Sequence, residues 1–390
     1  MTLDLEQTWD DERLRRERLA LVQAQMRRLG VGAMYIGENA SVRYLLNLKI
    51  PSASAFVPVE GKVIAFMRPR DEGYVKLHYA NVRPPLYDPA SAWGPGTAEE
   101  GGTDLLVRSL TALMEEHGVA GERLGVEKLD LPAFQALSGA GMQLTYAQPA
   151  IEYARAIKTQ DEVEIYRRMG EMYEHTVRAF RDALRPGITE NELAAVVVAA
   201  WYEAGGEDIA QLNVCAGENM NPWRRWPTQR AVREGEFVGL DLHGFGASGL
   251  RGDASRTFFV GDHPSDAQRD LYVTAYEHLK ATTDAFRAGR TYAEAVELVP
   301  PVPAKYETQL FNLQVAHAIG MSHSGYPEVE MRKPPIEDTL KENQVLAIES
   351  YFGEVGGEMA VKLEDFIVVR DGAPEVLGPD MPFDERFVTP

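Results

Sequence analysis

Acidic residues in this chain stand inside apolar, β-branched runs, where strands buried on both faces are expected and a bare carboxylate is costly. Asp241 closes the run Phe237-Val-Gly-Leu-Asp, and Asp253 opens Asp253-Ala-Ser-Arg-Thr-Phe-Phe-Val. Glu349 closes Val345-Leu-Ala-Ile-Glu, and Glu364 lies within Val361-Lys-Leu-Glu-Asp-Phe-Ile-Val-Val. His317 has a similar setting in Val315-Ala-His-Ala-Ile-Gly. Taken singly, each acid reads as a turn carboxylate or an ion-pair partner, with Arg256 and Lys362 close by, and the histidine as a satisfied core side chain. Together they read as the ligand set of a two-metal hydrolytic centre, in which carboxylates bridge ions roughly 3.5–4 Å apart. The expected cofactor is two divalent metal ions. Four carboxylates and an imidazole suit manganese, iron, cobalt or zinc, and the lack of a thiol argues against a structural zinc site.

The chain has 390 residues, long for a single core, so two domains are expected. Residues 10–29 read as an amphipathic helix with Leu19, Val22, Met26 and Leu29 on one face and Gly30 as its stop. Strand-like runs at 31–36, 55–59 and 62–67, the latter two a hairpin about Gly61, and at 124–127, with a helix near 131–138, suggest a small α/β domain over 1–152. The Pro-, Gly- and Ala-rich stretch 84–103 reads as a loop. In the second domain, 153–390, a helix carries Tyr166, Met169, Tyr173, Val177, Phe180 and Leu184, halts at Pro186-Gly187, and is followed by the capping box Thr189–Glu192. A helix after Pro264-Ser265, a break near Gly289 and a box at Thr291–Glu294 repeat the pattern. Strands follow both times, which suggests a duplicated architecture with the ligands between its halves.

A formal charge of −19 disfavours nucleic acid and anionic membrane as partners. Cys215 is the only cysteine, so an intrachain disulfide is excluded and a reducing, cytoplasmic compartment is expected. The start of the chain, Trp9-Asp-Asp-Glu-Arg-Leu-Arg-Arg-Glu-Arg, is too charged for a secretory core, and no apolar run is long enough to span a bilayer.

In their order, Asp241…Asp253-Ala-Ser-Arg-Thr-Phe, His317-Ala-Ile-Gly-Met, Ala347-Ile-Glu-Ser and Lys362-Leu-Glu-Asp resemble the superfamily of creatinase, prolidase, aminopeptidase P and methionine aminopeptidase. The resemblance implies an α+β protein: a C-terminal pita-bread domain preceded by a smaller α/β creatinase-type N-terminal domain that serves as lid or dimerisation unit. It also implies a homodimer, in which Trp93 of the loop can cover a site. Asp253 and Glu364 would bridge both metals, Asp241 would chelate one, and His317 and Glu349 the other. Family peptidases carry histidines where this chain has Arg224 and Ser324, and Pro where it has Ser350; those histidines hold the scissile carbonyl and its oxyanion. Asn221-Pro-Trp, the twelve-residue step from Asp241 to Asp253, Glu354-Val-Gly-Gly-Glu and the fifteen-residue step to Glu364 are similar to the metal-dependent dimethylsulfoniopropionate lyases of the same superfamily. Their additional ligand falls on His243, their proposed base on His323, and a nearby tyrosine on Asn312.

His323, with a reference pKa near 6.5, suits proton transfer in catalysis, or else is a loop histidine. Trp223, Arg224, Arg225 and Trp226 can grip a carboxylate and face a quaternary ammonium or sulfonium group, or form a packed loop; Tyr326 and Tyr351 are candidate pocket wall. The leading expectation is hydrolysis of a C–N bond in a small-molecule, carboxylate-bearing or dipeptide-like substrate. A lyase that eliminates a β-substituent is second, and a catalytically silent binding module third.

Overall fold

The computed structural model describes residues 7–49, 53–67, 73, 81–83, 101–223, 226–306, 314–321, 325–331 and 336–388. It divides into a compact unit Asp10–Arg155 and a larger one containing Ala156–Pro390.

In the first unit, helix α1 (Asp11–Leu29) starts on Asp10, whose side chain accepts from the N–H groups of Glu12 and Arg13, and stops at Gly30 with φ 62°. Its buried stripe is Leu14, Arg18, Val22 and Met26, whereas Leu19 and Leu29 are only half-buried. Arg18 takes a core position because its guanidinium donates to the Tyr44 carbonyl (3.2 Å) and lies 4.7 Å over the Tyr44 ring. Strands β1 (Ala33–Ile36), β2 (Ala53–Pro58), β3 (Ile64–Met67), β4 (Val82–Arg83), β5 (Leu124–Val126) and β6 (Leu144–Tyr146) form one sheet in the order β4-β3-β2-β1-β5-β6. The expected hairpin is β2–β3, antiparallel with Ala55 opposite Ala65. Helices α2 (Asn39–Leu46), α3 (Gly102–Glu116), α4 (Leu131–Gly139) and α5 (Gln148–Ala156) complete the unit. Leu106, Leu110 and Leu113 of α3 and Leu137 of α4 share a core with Tyr35, Phe56, Ile64 and Phe66. The loop expected over 84–103, with Trp93, lies outside the described residues as far as residue 100, and α3 takes over from Gly102.

The larger unit runs α6 (Gln160–Ala183), α7 (Glu190–Glu203), β7 (Asp208–Ala216), β8 (Glu236–Phe245), β9 (Ala254–Val260), α8 (Asp266–Ala285), α9 (Tyr292–Glu297), β10 (Gln314–Ala318), β11 (Glu328–Glu330), β12 (Val345–Gly353), β13 (Ala360–Val368) and β14 (Glu375–Val376). Each of the helices α6 to α9 opens in a complete capping box: Thr159/Glu162, Thr189/Glu192, Ser265/Gln268 and Thr291/Glu294. Helix α6 buries Tyr166, Met169, Tyr173, Val177 and Phe180, while Leu184 already lies past its end as the C-cap.

The strands form one antiparallel sheet, β11-β10-β12-β13-β9-β8-β7, with β14 added beside β13. Helix, cap, helix and strands thus occur twice, and the two sets of strands meet at β9 and β13. One backbone register pair, Ser255 with Glu364, joins them there. Side chains stitch the rest of the seam. The Arg256 guanidinium donates to the carbonyls of Ser255 (2.9 Å) and Glu364 (2.8 Å) and to Asp365 Oδ1 (2.6 Å). Thr257 Oγ1 donates to the Lys362 carbonyl (2.8 Å) and accepts from its N–H (3.1 Å). The run Ser255-Arg256-Thr257 is therefore a fastening as well as a strand.

Candidate metal centre

Residues two apart on a strand share a face, so the register decides which side chains meet. It aligns Asn213, Asp241, Ser255, Glu364 and Glu349 in one row across β7, β8, β9, β13 and β12. Strand β8 continues past Asp241 to Phe245, which brings His243 onto the same face. His317 enters from β10, opposite Ala347, and Asp253 immediately precedes β9.

All six candidate ligands are buried, Asp253 and Glu364 at 0% exposure. The donor atoms of five of them form two overlapping groups, Asp241–His243–Asp253 and Asp253–His317–Glu364, each within 4.8 Å, and Glu349 belongs to neither. His243 Nε2 lies 3.3 Å from Asp241 Oδ1, and its Nδ1 2.9 Å from Asp253 Oδ2. His317 Nε2 lies 3.4 Å from Glu349 Oε1 and 3.7 Å from both Glu364 Oε1 and Asp253 Oδ2.

Two cationic side chains enter the cluster. Lys362 Nζ is 2.8 Å from Glu364 Oε2 and 2.9 Å from Glu349 Oε2. Arg251 donates to Asp253 Oδ2 (3.0 Å) and contacts His243 Nδ1. Arg256, the other cation marked in the sequence, pairs with Asp365 instead. Burial alone would lower the pKa of His243, but the Asp253 and Asp241 carboxylates outweigh it and raise it to about 10. His317 is likewise raised against burial, by Glu349, Glu364 and Asp253. Asp241 is pushed up by burial yet held well below its usual range by Lys362 and His243. Four carboxylates thus face one ammonium, one guanidinium and two imidazoles.

Asp253 Oδ1 and Glu364 Oε1 are buried acceptors with no hydrogen-bond partner among the described residues. Bare carboxylate oxygens beside an imidazole are what a divalent cation takes up, so the residues present fit the group.

The other sequence candidates are placed differently. Trp223 is buried in a cluster with Met220 and Tyr351, its ring 6.3 Å from that of Tyr351. A Cβ on Gly239 would stand 2.8–2.9 Å from Met220 and Trp223, so a glycine lets this loop lie on the strand. Tyr351 is one row out from Glu349, and its hydroxyl donates to the Met220 carbonyl (2.9 Å). Tyr326 donates to Asp338 Oδ2 (3.0 Å), and Trp226 is 72% exposed. Arg224, Arg225, Asn312 and His323 lie outside the described residues.

Lys362, marked in the sequence as an ion-pair candidate, joins the cluster, and two further participants are not evident from the sequence pattern. Lys362 is legible in principle, standing two positions before Glu364 on the same face. Asn213, which donates to Asp241 Oδ2 (3.0 Å), becomes visible only once β7 is paired with β8. Glu190, in the first turn of α7, is wholly buried and gathers the loop before β8: it accepts from the N–H groups of Ala216 (2.8 Å) and Thr228 (2.9 Å) and from Asn219 Nδ2 (2.9 Å). Nothing in its local sequence separates it from an ordinary first-turn glutamate.

Fold and cluster together are those of a pita-bread domain whose buried acids and histidines could hold divalent metal, preceded in the chain by a creatinase-type N-terminal domain. The chain belongs to metallopeptidase family M24, whose family model matches residues 164–371, while that of the creatinase/prolidase N-terminal domain matches residues 18–157. Over 296 residues it is 28% identical to dimethylsulfoniopropionate lyase DddP of Roseovarius nubinhibens, a match covering 73% of this chain and 66% of that protein, just under two thirds. It is 26% identical over 231 residues to an Xaa-Pro dipeptidase of Pyrococcus furiosus, covering 58% of this chain and 64% of the relative. The fold matches the solved Xaa-Pro dipeptidase from Bacillus anthracis with a TM-score of 0.78 and 19% identity, over 95% of this chain and 99% of that one. No helix among the described residues is long and apolar enough to cross a membrane.

Proposed function

We propose that this protein is a metal-dependent hydrolase that cleaves a C–N bond in a small carboxylate-bearing or dipeptide-like substrate. Two divalent ions (manganese, iron, cobalt or zinc) would be held by Asp241, His243 and Asp253 on one side and by His317 and Glu349 on the other, with Asp253 and Glu364 shared. One observation carries this reading: Asp253 belongs to both groups of convergent donor atoms, so one carboxylate serves two positions. When bound, such ions supply a water acidified to react near neutral pH and polarise the substrate carbonyl. The chain's own part is to hold that arrangement: Ser255 Oγ stands between Asp241 Oδ1 (3.0 Å) and Glu364 Oε2 (2.9 Å), its one proton open to either carboxylate. His323 is the proposed proton-transfer group, and Arg224 the proposed partner of the substrate carboxylate.

A second reading, elimination of a β-substituent from a carboxylate, draws on His243. That imidazole adds a donor to the Asp241 side, 3.3 Å from Asp241 Oδ1 and 2.9 Å from Asp253 Oδ2, at the position where the lyase resemblance implies an additional ligand. Incubation in oxygen-18 water with Xaa-Pro dipeptides and with β-substituted propionates separates the two. Hydrolysis places label in the product; elimination yields an unsaturated acid without label. Neither signal with either substrate class, from protein that retains its metal, would refute both readings in favour of a binding module. His323→Ala is expected to keep the metal and lose most turnover.

A further inference from the structure

We propose that Tyr173 is a positioning residue of this centre: its hydroxyl enters the β8–β9 ladder at the His243–Asp253 pair and sets how those two side chains face the metal. This rests on the two-metal reading above. The register is the same on both sides of that pair, with Leu242 opposite Ala254 and Phe245 bridged to Arg251. His243 therefore stands opposite Asp253, and Gly244 opposite Gly252. In an unbroken antiparallel ladder the two glycines would exchange both of their N–H···O bonds. Here the Gly252 N–H donates to the Gly244 carbonyl (3.0 Å), but the Gly244 N–H donates to Tyr173 Oη (2.9 Å). That hydroxyl in turn donates to the Leu242 carbonyl (2.8 Å). One side chain from α6 thus takes a backbone group on each side of His243.

The surroundings are shaped for that intrusion. Tyr173 is wholly buried, its ring edge-on to Trp201 of α7 (5.0 Å) and 5.1 Å from the ring of Phe366, two positions beyond Glu364 on β13. A Cβ on Gly244 would fall within 2.7 Å of three atoms of the Trp201 ring, and one on Gly252 would stand 2.5 Å from Tyr173 Cε2. Opposed glycines therefore admit two rings that any side chain would push out. Trp201 is anchored from behind by donation to the Asp208 carbonyl (3.0 Å). Asp253 follows Gly252 directly, and its Oδ2 lies 2.9 Å from His243 Nδ1. Tyr173 so braces the strands that carry three ligands, His243, Asp253 and Glu364. A phenylalanine would fill the same core; only the hydroxyl can hold the ladder open beside His243. Outer groups that orient metal ligands commonly govern affinity as strongly as this arrangement implies.

The test compares cobalt(II)-loaded full-length wild type with Tyr173→Phe. The readouts are the paramagnetically shifted imidazole proton signals, assigned through His243→Ala and His317→Ala, and cobalt affinity from equilibrium dialysis with elemental analysis. Wild type should show shifted signals from both imidazoles. Tyr173→Phe should move the His243 signals, leave those of His317 in place, and bind cobalt at least about tenfold more weakly. Tyr272→Phe is the control for a purely structural loss. That hydroxyl is equally buried and accepts from the Asp384 N–H (2.9 Å) in the C-terminal segment, so its removal should leave signals and affinity unchanged. Should Tyr173→Phe fail to fold, Trp201→Phe, which loosens the ring behind Tyr173, is expected to move the same His243 signals. Unmoved His243 signals in the folded variant, or equal changes in the Tyr272 control, overturn the proposal and leave the two-metal reading standing. Absence of any shifted imidazole signal in wild type removes that reading, and the proposal with it.

Discussion

Replacing Arg256 by Met tests whether the seam between β9 and β13 depends on side chains. Arg256 and Asp365 are each 1% exposed, and the guanidinium serves Asp365 and two backbone carbonyls while lying 4.0 Å over the Phe383 ring. Methionine keeps most of the volume against that ring but leaves the Asp365 carboxylate buried, with its other oxygen, Oδ2, also lacking a partner among the described residues. Breaking a buried pair from one side costs about 3–5 kcal/mol, because the abandoned charge stays in the interior. Removing both partners is far milder, so Arg256→Met/Asp365→Leu should recover most of that loss. The assay is urea unfolding of metal-free protein by circular dichroism, read as a double-mutant cycle for the transition of the larger unit. A single variant within about 1 kcal/mol of wild type, or single costs that simply add, would refute the claim that this pair holds the seam.

Asp253→Ala, which removes the carboxylate common to both groups, should abolish filling of both positions, whereas Asp241→Ala should spare the His317 side; elemental analysis after gel filtration checks this, and full retention by Asp253→Ala would contradict it. His278 is buried against the Phe352 ring (5.0 Å), and burial lowers its pKa from 6.5 to about 4. A depressed histidine adds stability that is complete above the unfolded value and is lost as pH falls through the window from 6.5 to about 4. The loss is about 3 kcal/mol, and His278→Leu should remove that part of the acid slope in urea melts at pH 7.5 and 4.5; identical slopes would count against it. Glu190→Ala strands the N–H groups of Ala216 and Thr228, so stability should drop by about 3 kcal/mol and Trp223 fluorescence should shift; a loss under about 1 kcal/mol would show the loop is held otherwise.

Much of this architecture is legible in the residues. Capping boxes announce α7 and α9 because a Thr and a Glu three apart satisfy each other's orphan donors whatever lies beyond. The acid-in-apolar-run pattern points to the strands that carry the cluster, since a carboxylate buried there needs a cation or hydrogen bonds to offset its lost hydration. What stays hidden depends on pairing or on chain geometry beyond a short window. Helices α2 and α3 open on Glu38 and Gly101, neither of which makes a side-chain cap hydrogen bond, so no local signal marks their starts. Arg18 sits in a core stripe because Tyr44, twenty-six positions away, receives it. Asn213 and Ser255 look like any strand polar residues until the register lays them beside Asp241. The hydroxyls of Tyr326 and Tyr351 bind Asp338 and the Met220 carbonyl, a choice of partner that composition cannot reveal.

The narrow join at Ser255 and Glu364 has a mechanical consequence. Asp241 and Asp253 belong to one half of the sheet, and Glu349 and Glu364 to the other. Their like charges push the halves apart across a line where the backbone contributes a single pairing, so every positive group inserted there acts as a clasp. Loosening that line would part the donor set down its middle, so the integrity of the seam and the capacity to hold cations should rise and fall together.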